Sequence, residues 1–310
     1  MDAWVSWTVR GFRHSEWWLW TLLVLAGCSG LRRMGPVRED VMRARQLSQQ
    51  GIDAWQRGQR REAEQVFAQA VTCCPEDVAA RCRLANCLWE RGATEAALAH
   101  LTEAVQLSGH SDRQLLVQLG QMHLKLGQLS EAGALADEAV RLDPQSAAAW
   151  RLRADVLERS GRLNEAMESY YRSLSYDSQD AEVLLALAEI HQQLGRPSRV
   201  LATLGQLDRQ YAGDAAPQRV WVLKGMAQQQ LHRYDEALES LARACQQGPA
   251  SAELLGQLAQ VQWQLGQQTS AQQTLRDAFV VASPEEQASL RQLMARIAEL
   301  PGDYPHSVAR

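Results

Sequence analysis

The residues of this chain that could ligate a metal or act as nucleophiles are six cysteines, seven histidines and a spread of carboxylates. The cysteines are Cys28, Cys73, Cys74, Cys82, Cys87 and Cys245. None forms a C-x-x-C pair, so zinc binding and dithiol redox chemistry both lack their usual spacing. The histidines are scattered, with no H-E-x-x-H or comparable metal pattern. There is no G-x-S-x-G elbow and no Gly-rich phosphate loop. Asp and Glu are spread over solvated faces without a nucleophile–base pair. These patterns point away from catalysis, and from any cofactor, metal or small-molecule substrate. The net charge of −4 and pI of about 6.0 also lack the basic footprint of a nucleic-acid-binding domain.

Cys28 has a context of its own. Arg10, Arg13 and His14 precede an apolar run from Trp17 to Gly27. That run is too short for a transmembrane helix, which needs roughly 20 apolar residues, but it suits the core of a signal peptide. It ends in Leu25-Ala26-Gly27-Cys28, which resembles the lipobox of bacterial lipoproteins. The resemblance implies cleavage before Cys28 and acylation of that cysteine. Several acyl chains anchor stably where a single one does not. Ser29, in place of an Asp, implies the outer membrane, with the protein facing the periplasm. Asp2, Glu16 and the tryptophans Trp17, Trp18 and Trp20 depart from a typical leader. The other reading is translation from Met34, which gives a soluble cytoplasmic protein.

What positions the remaining residues is a repeat. Gly58, Gly92, Gly127, Gly161 and Gly195 recur at intervals of 34 or 35 residues. Gly266 follows after about two further periods, with His232 at the intermediate place. With these glycines as position 15, repeats begin at Ala44, Val78, Arg113, Ala147, Ala181, Gln218 and Ala252. Position 8 is then always Gly or Ala: Gly51, Ala85, Gly120, Ala154, Ala188, Gly225 and Ala259. Position 20 is Ala except at Val200, and position 27 is small except at Leu207. Position 24 is bulky except at Ala136, with Phe67, Leu101, Tyr170, Leu204, Leu241 and Leu275. Small residues let two helices approach, large ones fill the gap between hairpins, and Gly at position 15 permits a left-handed helix end. Pro75, Pro144 and Pro249 at position 32 stop the second helix.

This pattern resembles the tetratricopeptide repeat. The resemblance implies an all-α fold, a right-handed α-solenoid of about seven helical hairpins plus a C-terminal capping helix. The expected organisation is a signal peptide over 1–27, then the lipidated cysteine, tether and start of the first helix over 28–43. Repeats follow over 44–285, a capping helix over 286–300 and a disordered tail over 301–310. Ser29 to Pro36 reads as the tether. Ser283 with Glu286 forms a capping box around Pro284, and Leu290, Leu293, Met294 and Ile297 form one apolar stripe. Asp112 reads as a one-residue insertion. The fifth repeat is the poorest, with Val200, Leu207 and the extra Ala215-Ala216-Pro217, and predicts a change of twist or a looser turn.

In this fold Cys82 and Cys87 share a helix and diverge by about 140°, so they cannot bridge. A Cys73–Cys82 or Cys74–Cys82 disulfide is open in an oxidising compartment; the alternative is free, packed thiols. His123 and His191 share position 11, a helix-packing position.

The resemblance also implies that first helices line a concave groove through positions 2, 5, 9, 12 and 13. Those positions supply the candidate partner-binding residues Trp55, Trp89, Asn86, Arg151, Asp155, Arg159, Glu189, Met226 and Trp263. Only Asn86 matches the family's carboxylate clamp, which excludes that ligand. The groove reads as apolar at its ends and mixed-charge at its centre, where Glu182 joins the set, and Trp and Arg are favoured interface anchors. The function expected is a non-enzymatic scaffold at a bacterial envelope membrane. It would hold a protein or peptide in the groove, in assembly of an envelope or secretion complex. The alternatives are a cytoplasmic adaptor and an accessory subunit of an enzyme.

Overall fold

The computed structural model describes residues 35–211 and 216–299. The apolar leader, Cys28, Ala215 and the tail after Glu299 therefore lie outside the described residues. Within them the chain forms fifteen helices and no strand. They are α1 (Gly35–Gln56), α2 (Arg60–Cys73), α3 (Val78–Glu90), α4 (Thr94–Leu107), α5 (Arg113–Lys125), α6 (Leu129–Leu142), α7 (Ala147–Arg159) and α8 (Leu163–Tyr176). These are followed by α9 (Ala181–Gln193), α10 (Pro197–Leu207), α11 (Gln218–Gln230), α12 (Tyr234–Gln247), α13 (Ala252–Gln264), α14 (Gln268–Val281) and α15 (Pro284–Glu299). Each expected repeat is a helical hairpin, and α15 is the expected terminal helix. One boundary differs. The first helix begins at Gly35, so the end of the expected tether is helical; Pro36 is tolerated there because the first turn needs no donor from it.

The hairpin turn follows from position 15. Gly58, Gly92, Gly127, Gly161, Gly195 and Gly266 all have φ between 63° and 84°. The next amide reaches back five residues, as in Gln59 N–H to the Ala54 carbonyl at 2.9 Å and Arg162 N–H to the Leu157 carbonyl at 2.9 Å. These bonds satisfy carbonyls that the helix end would otherwise leave unpaired. His232 takes the same left-handed conformation, φ 59°, without being Gly.

The other helix ends are capped from the sequence. Asp77, Ser146, Asp180 and Ser251 precede first helices and accept from amides within the first turn, for example Ala80 N–H to Asp77 Oδ1 at 3.0 Å. Asp112 does the same for α5, accepting from Gln114 N–H at 2.8 Å. The extra residue is therefore a cap, and the preceding turn makes room for it through left-handed Gly109 and His110, φ 61° and 57°. The capping box is present at α15, where Ser283 N–H donates to Glu286 Oε2 at 2.7 Å. Position 32 has a second use. The Pro75 carbonyl accepts from Arg81 Nε at 2.6 Å and the Pro144 carbonyl from Trp150 Nε1 at 2.8 Å. A position-4 side chain thus ties each of these turns to the following hairpin.

The chain divides into two compact units, residues 1–122 and 123–310. The core of the first includes Ala54, Ala63, Phe67, Ala80, Leu84, Cys87 and Ala97. The second includes clusters built around Tyr170 and Leu187, around Leu204 and Leu241, and around Leu275 and Leu290. Every residue at position 20 is fully buried, Val200 included. The close approach at position 8 is literal: a Cβ on Gly51 would lie 2.6 Å from the Phe67 ring, and one on Gly225 2.6 Å from Leu241. In the fifth repeat α10 has 11 residues where the other second helices have 14. Val200, Leu204 and Leu207 are nevertheless buried in one cluster with Leu184, Ala216 and Val220. The stack continues there through a shorter helix that takes larger side chains. On α15, Leu290 is buried and Leu293 packs on the core, while Met294 is 40% exposed; the side chain of Ile297 lies outside the description.

Candidate functional site

In the first unit the candidate groove residues are tied to their surroundings. Trp55 and Trp89 are half-buried and pack against the Phe67–Leu84 core. The outer face of Trp55 is covered by the Arg60 guanidinium, 3.6 Å from the ring centroid, an arrangement favoured by the ring quadrupole. Arg60 is held in turn by Glu90 at 3.3 Å. Asn86 accepts from Gln118 Nε2, and Gln118 Oε1 accepts from the Cys82 thiol at 3.0 Å. Cys73, Cys74, Cys82, Cys87 and Cys245 are all free thiols. Burial pushes the Cys82 thiol up and the Cys87 thiol to about 11, so neither is an activated nucleophile.

In the second unit the first helices α7, α9 and α11 carry a network of charges. Arg151 on α7 pairs with Asp180, the cap of α9, at 3.2 Å and with Glu182 on α9. Glu189 on α9 pairs with Arg219 on α11. Arg159 donates to the Leu124 carbonyl at 3.1 Å. The hydroxyl of Tyr170 on α8 lies 2.6 Å from Asp155 Oδ1 and 2.7 Å from Glu158 Oε2. Burial pushes the Asp155 carboxyl up, and burial likewise raises Glu189 against the pull of Arg219. The side-chain oxygen of Gln192, on α9, is buried without a donor.

Two cavities flank these helices. One, of about 120 Å³, lies between α11 and α13 and is lined by Val222, Met226 and Leu254 with Gln218, Glu253 and Gln257 at its rim. Its lining mixes apolar and polar side chains, as small binding pockets do. The other, of about 360 Å³, lies between α6 and α7. It opens where Gly133 and Ala134 leave space beside Val156, with the Arg153–Asp137 pair, 2.9 Å, at its edge. Trp263 on α13 is half-buried against the Leu275–Leu290 cluster.

The structure thus brings Arg151 and Asp155 together on α7, sets Glu189 against Arg219 and Glu158, and puts Met226 in a cavity. The three candidate tryptophans share their surface between core and solvent. Tyr170, Glu158, Asp180 and Arg219 complete the network and were not in the candidate set. Tyr170 was hidden because position 24 reads as a packing position. The signal for it was the carboxylate pair Asp155 and Glu158, one helical turn apart, opposite the one hydroxylated residue at position 24. Among the described residues no three His, Cys, Asp or Glu side chains are grouped to hold a metal ion. None of the described helices is long and apolar enough to cross a membrane.

Comparison with known proteins places this geometry. One curated relative, superkiller complex protein 3 of Mus musculus, is 31% identical over 110 residues, which is 35% of this chain. The chain spans 7% of that protein's length. Among solved structures, a tetratricopeptide repeat protein from Parabacteroides merdae superposes with a TM-score of 0.58 at 14% identity, covering 83% of this chain and all of that one. PilW, a type IV pilus biogenesis factor, gives 0.61 at 17% identity over 68% of this chain and 96% of its own. YrrB, described as a tetratricopeptide protein with an unusual peptide-binding site, gives 0.54 at 18% identity over 64% of this chain and 98% of its own. At these identities the superpositions establish the fold. Two sequence profiles of the tetratricopeptide repeat match residues 48–112 and 117–181, and 157–220 and 229–297. With the left-handed turn, the small residues at positions 8 and 20 and the hairpin stack all in register, this chain belongs to the tetratricopeptide repeat family.

Proposed function

We propose that this protein is a scaffold that holds a protein or peptide partner on the first-helix face of its second unit. The observation that carries this reading is the combination on α7, α9 and α11 of a charged network with an apolar cavity lined by Met226. Together they offer polar groups for orientation and a socket for one side chain. YrrB, which shares the fold, is described as having a peptide-binding site, and the reading extends that use of the fold to this chain. In the first unit, Trp55, Trp89 and Asn86 offer a second, more apolar contact surface. The test is capture from native membranes and lysate with the wild type and with Met226→Lys, which fills the cavity with a charge at a half-buried position. Loss of a specific partner with unchanged thermal stability supports the reading. Equal capture by both removes it.

We further propose that the scaffold is anchored to the outer membrane of a bacterial envelope by acyl chains on Cys28, facing the periplasm and serving assembly of an envelope or secretion complex. The support is Leu25-Ala26-Gly27-Cys28 behind a short apolar run, together with the need for more than one acyl chain for stable anchoring. Mass spectrometry of the mature amino terminus tests it. An acylated Cys28, lost with membrane association in Cys28→Ala, is the expected result. An unmodified chain that starts at Met34 contradicts it.

A further inference from the structure

Tyr170 fills the bulky position of the fourth repeat and is 1% exposed. Its one hydroxyl hydrogen faces two carboxylates, Asp155 Oδ1 at 2.6 Å and Glu158 Oε2 at 2.7 Å. A phenol can donate to only one of them. With both carboxylates ionised, the second contact would set lone pairs against lone pairs at a separation typical of a charge-assisted hydrogen bond. Both contacts are satisfied when one carboxyl carries a proton and donates it to the phenol oxygen, while the phenol donates to the other carboxylate.

We infer that Asp155 and Glu158 share one proton through Tyr170, so that this face of the fourth repeat acts as a proton-binding switch that gains one negative charge when the proton leaves. The surroundings favour the protonated form. On α7, Arg151 is engaged by Asp180 and Glu182, and Arg159 is turned to the Leu124 carbonyl. From α9, Asp180 adds like charge at Asp155 and Glu189 stands against Glu158, while Arg219 on α11 is taken by Glu189. Burial raises the Asp155 carboxyl; Glu158 and Asp180 add to the rise, against the Tyr170 hydrogen bond and Arg151. The inference does not depend on which partner the scaffold holds. Its consequence is that any charged group docking on α7 meets a face whose charge is set by pH.

The sign follows from linkage. Between the unfolded carboxyl value and the raised folded one, the folded chain binds more protons, so stability falls as pH rises through that window and then levels off. Glu158→Gln supplies a permanent N–H donor in place of the shared proton and should remove this contribution. The experiment is a side-chain carboxyl carbon titration of the full chain by NMR, with the pair assigned from Asp155→Asn and Glu158→Gln. Thermal unfolding of the wild type and Glu158→Gln at about pH 5 and pH 8 accompanies it. One carboxyl of the pair should titrate above the ordinary carboxylate range. The melting temperature of Glu158→Gln relative to wild type should rise by about 1–2 °C from the lower to the higher pH. If both carboxyls titrate in the ordinary range, the shared proton is overturned whatever the unfolding data show.

Discussion

A methyl group on Gly51 would sit 2.6 Å from the ring of Phe67, inside any allowed carbon–carbon contact. The same relationship holds between Gly225 and Leu241, also at 2.6 Å. In both hairpins the first helix approaches the second more closely than Ala allows. In the other hairpins position 8 or position 24 is chosen differently, as with Ala85 against Leu101. Gly51→Ala and Gly225→Ala should therefore destabilise. The overpacking term of about 1–3 kcal/mol exceeds the roughly 1 kcal/mol that Ala gains over Gly inside a helix. Chemical denaturation of each variant checks this, and increased stability in either would show that the hairpin opens freely.

His232 holds the left-handed conformation that Gly holds in the other hairpin turns, φ 59°. For a residue with a Cβ this costs about 1–2 kcal/mol. Tyr234 compensates in part, through a contact of its hydroxyl with Nδ1 at 2.7 Å and a T-shaped ring contact at 5.8 Å. His232→Gly should raise stability by about 0.5–1 kcal/mol, after allowance for the greater freedom of Gly in the unfolded chain. A fall in melting temperature would mean that the Tyr234 contact outweighs the backbone strain.

His191 is 3% exposed, with Nε2 3.1 Å from the Tyr171 hydroxyl and Nδ1 buried without a partner. Burial lowers its affinity for a proton, and Arg196 and Arg199 lower it further. Below the unfolded histidine value, about 6.5, the unfolded chain therefore binds more protons than the folded one. Stability should fall as pH drops from about 7 toward 5. His191→Gln should flatten that slope, measured as the difference between variant and wild type at each pH. An unchanged slope would show that the imidazole is protonated in place.

The hairpin frame was legible because its determinants are local. A left-handed turn needs Gly, a close approach needs Gly or Ala, and a helix stop tolerates Pro, so each leaves a periodic mark. His232 and Asp112 interrupted the marks without interrupting the structure: one accepts strain, the other turns an inserted residue into a cap. The groove was legible only as a set of positions. What each side chain does there depends on neighbours that the repeat positions do not name. Arg60 covering Trp55 and Tyr170 reaching two carboxylates are contacts within one hairpin, and Arg219 reaching Glu189 joins two; none of them follows from the residue type at a single position. The cavity beside Gly133 was missed because a missing side chain is visible only once its surroundings are assembled.

The first-helix face of the second unit is the proposed docking site of a partner. The most direct measurement places a photo-crosslinking amino acid at Gln192 on α9 or Met226 on α11, and for comparison at Arg172, an exposed position on α8, each in the full chain inside living cells. The account predicts that irradiation joins the same protein to Gln192 and Met226 and not to Arg172. Adducts formed at Arg172 while Gln192 and Met226 yield none would contradict it and move the site to the second helices.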